Sequence, residues 1–164
     1  MTIRFGILTL SDRSSRGERA DASGPAIARL IEAEGWYIAK QSLLPDEESA
    51  IHQILIEWSD DGGVDVILTT GGTGFAPRDV TPEATRAVID REAPGLAEAM
   101  RATSLKITPH AMLSRIVTGI RKKTLIVNLP GSPKGAVENL QVILPVLPHA
   151  VQLLRDDPQS ESSH

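Results

Sequence analysis

Apolar residues fall along this chain in two rhythms. Short unbroken runs, Ile3 to Leu10 and Val64 to Leu68, are bounded by polar turn signals. They read as strands buried on both faces, as in a parallel sheet covered by helices. Trp36 to Leu44 reads as a further strand. Between the strands the spacing becomes helical. Ile27, Leu30 and Ile31 mark a helix that begins at Asp21 or Ser23, carries Pro25 in its first turn and stops at Gly35. Ala50, Ile51, Ile54, Leu55 and Trp58 mark a second, which Asp46 can cap. Asp61-Gly62-Gly63 then turns the chain into the Val64 strand.

The second half repeats the alternation less regularly. Thr81-Pro82 predicts a helix start, with the hydroxyl as cap and proline at the first helical position. Another helix is predicted from Pro94 to about Lys106, through Leu96, Met100 and Leu105, and Pro109 opens a short turn. Ile116-Val117 and Leu125-Ile126-Val127 are strand-like and predict a hairpin around Gly119 and Arg121-Lys122-Lys123, a basic group expected to be solvated at the turn. The last long element begins at Ser132-Pro133, carries Val137, Leu140, Ile143 and Leu144, and should kink or break at Pro145 and Pro148. Residues 156–164 are polar and expected to be disordered. Strands alternating with helices predict a doubly wound, three-layer α/β/α sandwich with a mostly parallel sheet, one domain over residues 1–155.

Composition narrows the function. At 164 residues and 41% hydrophobic, the chain can build one sizeable core. Its net charge of −4 argues against a nucleic-acid partner. The absence of cysteine removes disulfides and thiolate metal sites, and fits a cytoplasmic protein. His52, His110, His149 and His164 lack any zinc-ligand spacing. With no basic leader and no long apolar segment, neither secretion nor membrane insertion is expected.

The chemistry concentrates in loops that follow strands, where open α/β sheets collect ligands. Four such loops carry Ser11-Asp12-Arg13-Ser14, Pro45-Asp46, Thr69-Thr70-Gly71-Gly72-Thr73-Gly74 with Arg78-Asp79, and Asn128-Leu129-Pro130-Gly131-Ser132-Pro133-Lys134. The glycine loop fits neither the P-loop nor the dinucleotide fingerprint, and a glycine-rich loop alone can be a tight turn. Lys134, in the first turn of its helix, and Arg78, just before another, oppose the helix dipole unless an anion occupies those ends. Both could equally point into water. Asp46 and Asp79 sit where a divalent ion would meet phosphates, and Mg²⁺ commonly needs only one or two protein carboxylates. Capping alone would also explain Asp46. Glu98 and Arg101, one helical turn apart, read as a surface pair, and no Ser-His-Asp set is present.

Taken together, Leu10-Ser11-Asp12, Leu44-Pro45-Asp46-Glu47, Thr70 to Thr85, Pro94-Gly95, Ser104 to Pro109, Ala111 to Arg115 and Asn128 to Pro133 resemble the MogA/MoaB family, the molybdopterin-binding domain also found in gephyrin-type proteins. The likeness covers roughly residues 3 to 155. It implies a homotrimer that binds molybdopterin and, in MogA-like members, adenylylates it with Mg²⁺ and ATP as co-substrate, releasing diphosphate. An insertase partner would then add molybdenum. By the same resemblance Asp46 and Asp79 are the catalytic and metal-binding acids. Ser11, Asp12, Thr70, Gly71, Gly72, Thr73, Gly74, Arg78, Pro130, Gly131, Ser132 and Lys134 form the nucleotide and pterin-phosphate surfaces. Two other readings stay open: a non-catalytic, MoaB-like molybdopterin carrier or scaffold, and a nucleotide-processing hydrolase related to the CinA-type domain.

Overall fold

The computed structural model describes residues 1–156. Six strands form one sheet in the order β2-β1-β3-β6-β5-β4. Strand β1 (Arg4–Leu10) pairs in parallel with β2 (Tyr37–Leu44) on one side and β3 (Val66–Thr70) on the other. Strand β3 continues in parallel to β6 (Thr124–Leu129). Beyond it, β5 (Thr118–Arg121) runs antiparallel to β6, and the two-residue β4 (Arg91–Glu92) closes that edge. The hairpin is present, but Ile116 and Val117 lie just before its first strand. Lys122, at its tip, adopts a left-handed φ of 52°.

Alternation along each central strand sends side chains to two separate cores. Phe5, Ile7, Val66, Leu68, Leu125 and Val127 meet α2 (Ser23–Ala33), α5 (Pro94–Leu105), α6 (Pro133–Ile143) and α7 (Leu147–Leu154) through Ile27, Ile31, Met100, Leu140, Ile143, Leu147 and Val151. Leu8, Leu10, Ile67 and Ile126 face the other way. They pack on Ile51, Leu55 and Trp58 of α3 (Glu48–Asp60) and on Ala84 and Val88 of α4 (Thr81–Val88). A short α1 (Asp12–Ser15) follows β1. The result is the expected three-layer α/β/α sandwich.

The run from Pro133 to Leu154 breaks at the prolines, with a 3-10 turn at Leu144–Val146. Length and hydropathy alone would let that run cross a bilayer, yet Leu140, Ile143, Leu147 and Val151 are core residues here. The disordered tail expected for residues 156–164 falls, apart from Asp156, outside the described residues.

Three local expectations need correction. Glu47, not Asp46, stands at the N-cap of α3, and the Asp46 side chain turns toward the first loop instead. The Thr81 hydroxyl does not cap its own helix; it donates to Gly71 O at 2.9 Å, tying α4 to the glycine loop. Arg121 is not solvated, because its guanidinium is held by Asp60 at 2.9 and 3.0 Å.

Candidate active site

Strand order reverses beside β1, since β2 lies on one side of it and β3 on the other. That reversal opens a crevice at the carboxyl ends of the parallel strands. The four strand-end loops meet there. A cavity of about 610 Å³ is lined by Ser11, Asp12, Asp46, Thr70, Gly71, Gly72, Asp79, Gly131 and Ser132, together with Arg13, Arg19, Asp21 and Ser23.

The loops lock by exchanging backbone and carboxylate bonds. The Asp12 amide donates to Asp46 Oδ2 at 3.0 Å, and the Asp46 amide donates back to Asp12 Oδ1 at 3.0 Å. Ser11 caps α1 by accepting from the Ser14 amide. Glycine is required twice in the next loop. Gly71 has φ +102°, and a Cβ there would lie 2.2 Å from Leu10 O. Gly72 has φ +66°, and its Cβ would lie 2.9 Å from Asp46 Oδ1. Only a bare backbone fits between β1 and the acid. Beneath it, the buried Asn128 amide donates to the hydroxyls of Thr69 and Thr85, joining β6, β3 and α4. Thr70 donates to Pro130 O at 2.7 Å and Ser23 to Gly131 O, which seats the fourth loop over the glycines.

Asp46 is the anomalous charge of this crevice. Its Oδ1 is buried and has no hydrogen-bond partner. Burial first, then the charges of Asp12 and Asp79, push its carboxyl above the ordinary aspartate range, and the Asp12 amide, with Arg78, offsets only part of this. Asp79 is placed by its own loop, with Oδ2 accepting from the Ala76 amide at 3.0 Å. Among the described residues no group of three or more His, Cys, Asp or Glu is arranged as a metal cage. An orphaned carboxylate oxygen beside a second acid instead fits a hard cation that arrives with its own oxygen ligands.

Two expected phosphate ligands behave differently. Arg78 lines neither cavity; it donates to both Asp12 oxygens at 2.9 Å and to Glu47 at 2.8 Å, strapping the glycine loop to the loops after β1 and β2. Those bonds to Asp12, then to Glu47, hold its guanidinium still more firmly protonated, while Asp12 is drawn below its usual range by Arg78. Lys134 also lines neither cavity, is 82% exposed, and is 3.8 Å from Glu138.

The remaining site residues line a second, smaller space that sequence reasoning did not foresee. This cavity of about 310 Å³ takes Thr73, Gly74, Pro130 and Ser132 from the expected set. Arg101, Ser104, Ile107, Thr108, His110, Ala111, Leu113, Ser114, Gly135, Glu138 and Asn139 complete its wall. Arg101 is not a surface partner of Glu98: it donates to Ser114 O at 3.2 Å and Ile116 O at 3.3 Å, fixing one side of the cavity. The signal was present in Ser104 to Ser114, an irregular stretch with a 3-10 turn at Pro109–Leu113, but no spacing rule links such a stretch to a pocket. Consecutive residues of one loop divide the two spaces: Gly71 and Gly72 face the larger cavity, Thr73 and Gly74 the smaller, and Ser132 lines both.

Comparison with known proteins agrees with this geometry. Residues 6–149 match the family model described as "Probable molybdopterin binding domain". Gephyrin of Dictyostelium discoideum is 47% identical over 94% of this chain, which spans only 23% of that protein. A molybdopterin adenylyltransferase of Helicobacter pylori J99 is 44% identical over 93% of this chain and 88% of its own length. The crystal structure of the molybdopterin biosynthesis enzyme MoaB from Thermus thermophilus superposes with a TM-score of 0.90 at 54% identity, covering 96% of this chain and 99% of that one. On fold, motif order and extent of match, this chain belongs to the molybdopterin-binding domain family of MogA and MoaB.

Proposed function

We propose that the protein is a molybdopterin adenylyltransferase, joining AMP from ATP to the terminal phosphate of molybdopterin and releasing diphosphate. One observation carries this reading: two cavities of different character share a wall made from a single glycine loop. A transferase needs two substrates to meet at one bond, and proximity alone is worth roughly 7–11 kcal/mol of barrier. The smaller space, walled by Ile107 and Leu113 with polar groups from Ser104, Ser114 and Asn139, suits a flat heterocycle with hydrogen-bonding edges. The larger space, with bare backbone at Gly71 and Gly72 and acids beyond, suits a nucleotide and its phosphates. The names of the adenylyltransferase relatives supply the substrates.

A phosphate monoester is already a nucleophile near neutral pH, so no side chain has to remove a proton from it. Attack at the α-phosphorus forms one P–O bond as the bond to the diphosphate oxygen breaks. The glycine loop lets the substrate backbone contacts form without a Cβ in the way, and its amides are the candidate donors to charge developing on the α-phosphate. Asp46 and Asp79 would hold the magnesium ion that travels with ATP, Asp46 through its unpartnered Oδ1. Once bound, that ion supplies the positive charge needed to bring two polyanions together. Arg78 orients Asp12, and Asp12 in turn fixes the Asp46 backbone and carboxylate.

We extend the proposal to a homotrimer that passes its product to a molybdenum insertase. Phe75, Ile107, Met112 and Leu113 remain exposed around the smaller cavity, an apolar surface that self-association would cover. Sedimentation should then show a single species three times the chain mass.

The activity is tested by measuring diphosphate after mixing the protein with Mg²⁺-ATP, with and without molybdopterin. Release only when both are present, matched by adenylyl-molybdopterin, is the expected result. Tight pterin binding with no diphosphate would make the protein a carrier. Free AMP without any acceptor would make it a hydrolase.

A further inference from the structure

Between the two cavities lies a guanidinium that neither cavity exposes. Arg115 follows Ser114, a wall residue of the smaller space, and precedes the buried Ile116. Its amide donates to Thr73 O at 2.9 Å. Its side chain donates from Nε to Gly74 O at 2.7 Å and from Nη2 to Asp79 O at 2.6 Å. Its remaining nitrogen pairs with Glu83, in the first turn of α4. One residue therefore grips both ends of the segment 73–79 and the helix that follows it.

The contacts have a directional consequence. In a trans peptide the carbonyl and the following N–H point opposite ways. Holding the Thr73 and Gly74 carbonyls on Arg115 turns the Gly74 and Phe75 amides away from it. Holding the Asp79 carbonyl fixes the backbone from which that carboxylate extends, while Asp79 Oδ2 accepts from the Ala76 amide at 3.0 Å. A planar fork with five donors can make this set of bonds at once; a lysine ammonium cannot span it.

We infer that Arg115 is a positioning residue: it sets the Asp79 carboxylate for Mg²⁺-nucleotide and joins the wall of the smaller cavity to that acid. The inference rests on the adenylyltransferase reading for the identity of the ligand. It does not place Arg115 in contact with substrate.

Calorimetric titration with ATP, in the presence and absence of Mg²⁺, tests it without requiring turnover. The wild-type protein should bind ATP at least tenfold more tightly with Mg²⁺ than without. Asp79→Asn should remove most of that gain. Arg115→Lys should remove a comparable share while Mg²⁺-free ATP affinity stays within threefold of wild type. Adding Arg115→Lys to Asp79→Asn should then change the Mg²⁺ gain by less than twofold, because both substitutions act through one carboxylate. Circular dichroism and melting temperature identify the folded variants, and Glu83→Gln, which keeps all three carbonyl bonds, should leave the Mg²⁺ gain within twofold. A folded Arg115→Lys with the full Mg²⁺ gain overturns the inference, as do losses that multiply in the double variant. Failure of the wild-type protein to bind ATP under any condition defeats the functional reading itself, and this inference with it.

Discussion

Two desolvated aspartates sit at opposite ends of the same sheet and have opposite fates. Asp65, just before β3, is 3% exposed and receives Arg4 at 2.8, 3.1 and 3.0 Å and Arg155 at 3.0 and 2.6 Å. Burial works to raise its pKa, but the bonds from Arg4 and Arg155 prevail and hold it below the ordinary range. Asp46, after β2, faces burial with two more acids nearby, one orphaned oxygen and a raised pKa. The first end uses its charge for closure: Arg4 of β1 and Arg155 after α7 clamp the strand ends and the C-terminal helix onto one carboxylate. The second end leaves its charge only partly compensated where the cavity opens. A half-buried acid with an unpartnered oxygen costs folding free energy, and such costs gather where a ligand offsets them.

The largest effect should come from the unpaired end. Asp46→Asn, or Asp79→Ala, is expected to cost about 2.7–4 kcal/mol of barrier, roughly a 10²–10³-fold loss of turnover measured by diphosphate release. Neither should unfold the chain, and undiminished turnover in Asp79→Ala would remove that residue from the scheme. Next comes the paired end. Asp65→Asn should lower unfolding free energy by about 1.5–3 kcal/mol, with turnover per folded molecule unchanged, since charge-assisted bonds are lost far from the cavities. Denaturant titration checks the first part and the diphosphate assay the second.

The two acids should also part company with pH. Because the folded pKa of Asp46 is raised, its destabilising charge is absent below the usual aspartate range and fully present above the raised value. At neutral pH Asp46→Asn should therefore melt slightly higher than wild type, by about 0.5–1 kcal/mol of stability. Because the folded pKa of Asp65 is lowered, its contribution is complete above the usual aspartate range and disappears as pH falls through the lowered value. The wild-type advantage over Asp65→Asn should shrink along that acid limb and vanish below it. The smallest effect belongs to Lys134. As an exposed partner of Glu138 it is a surface charge, and Lys134→Ala should alter ATP affinity less than threefold in the same titration.

How much of this the sequence disclosed follows from how local each cause is. Strand runs, helix starts at Pro82, Pro94 and Pro133, and the break at Pro145 depend on neighbouring residues, and their positions stand within a few residues of the structure. The four strand-end loops were legible as one site because a parallel sheet forces them to a common edge. What escaped were the choices among partners. Asp46 and Thr81 looked like helix caps, but Asp12 and Gly71, distant in sequence, offered the competing bonds. Arg78 looked free to meet phosphate, yet Asp12 and Glu47 occupy it. The smaller cavity has no pattern of its own, since α5, the 3-10 turn, the glycine loop and α6 each contribute only a few residues.

The contrast between the two acids can be read directly from their carboxyl carbons by NMR, titrated with and without Mg²⁺ and a non-hydrolysable ATP analogue. Asp46 should titrate above an ordinary aspartate in the free protein and fall on addition of Mg²⁺-nucleotide, with Asp65 low and unmoved in both conditions. An Asp46 that already titrates low, or that does not respond while nucleotide binds, would contradict its role as the unpaired acid of the site.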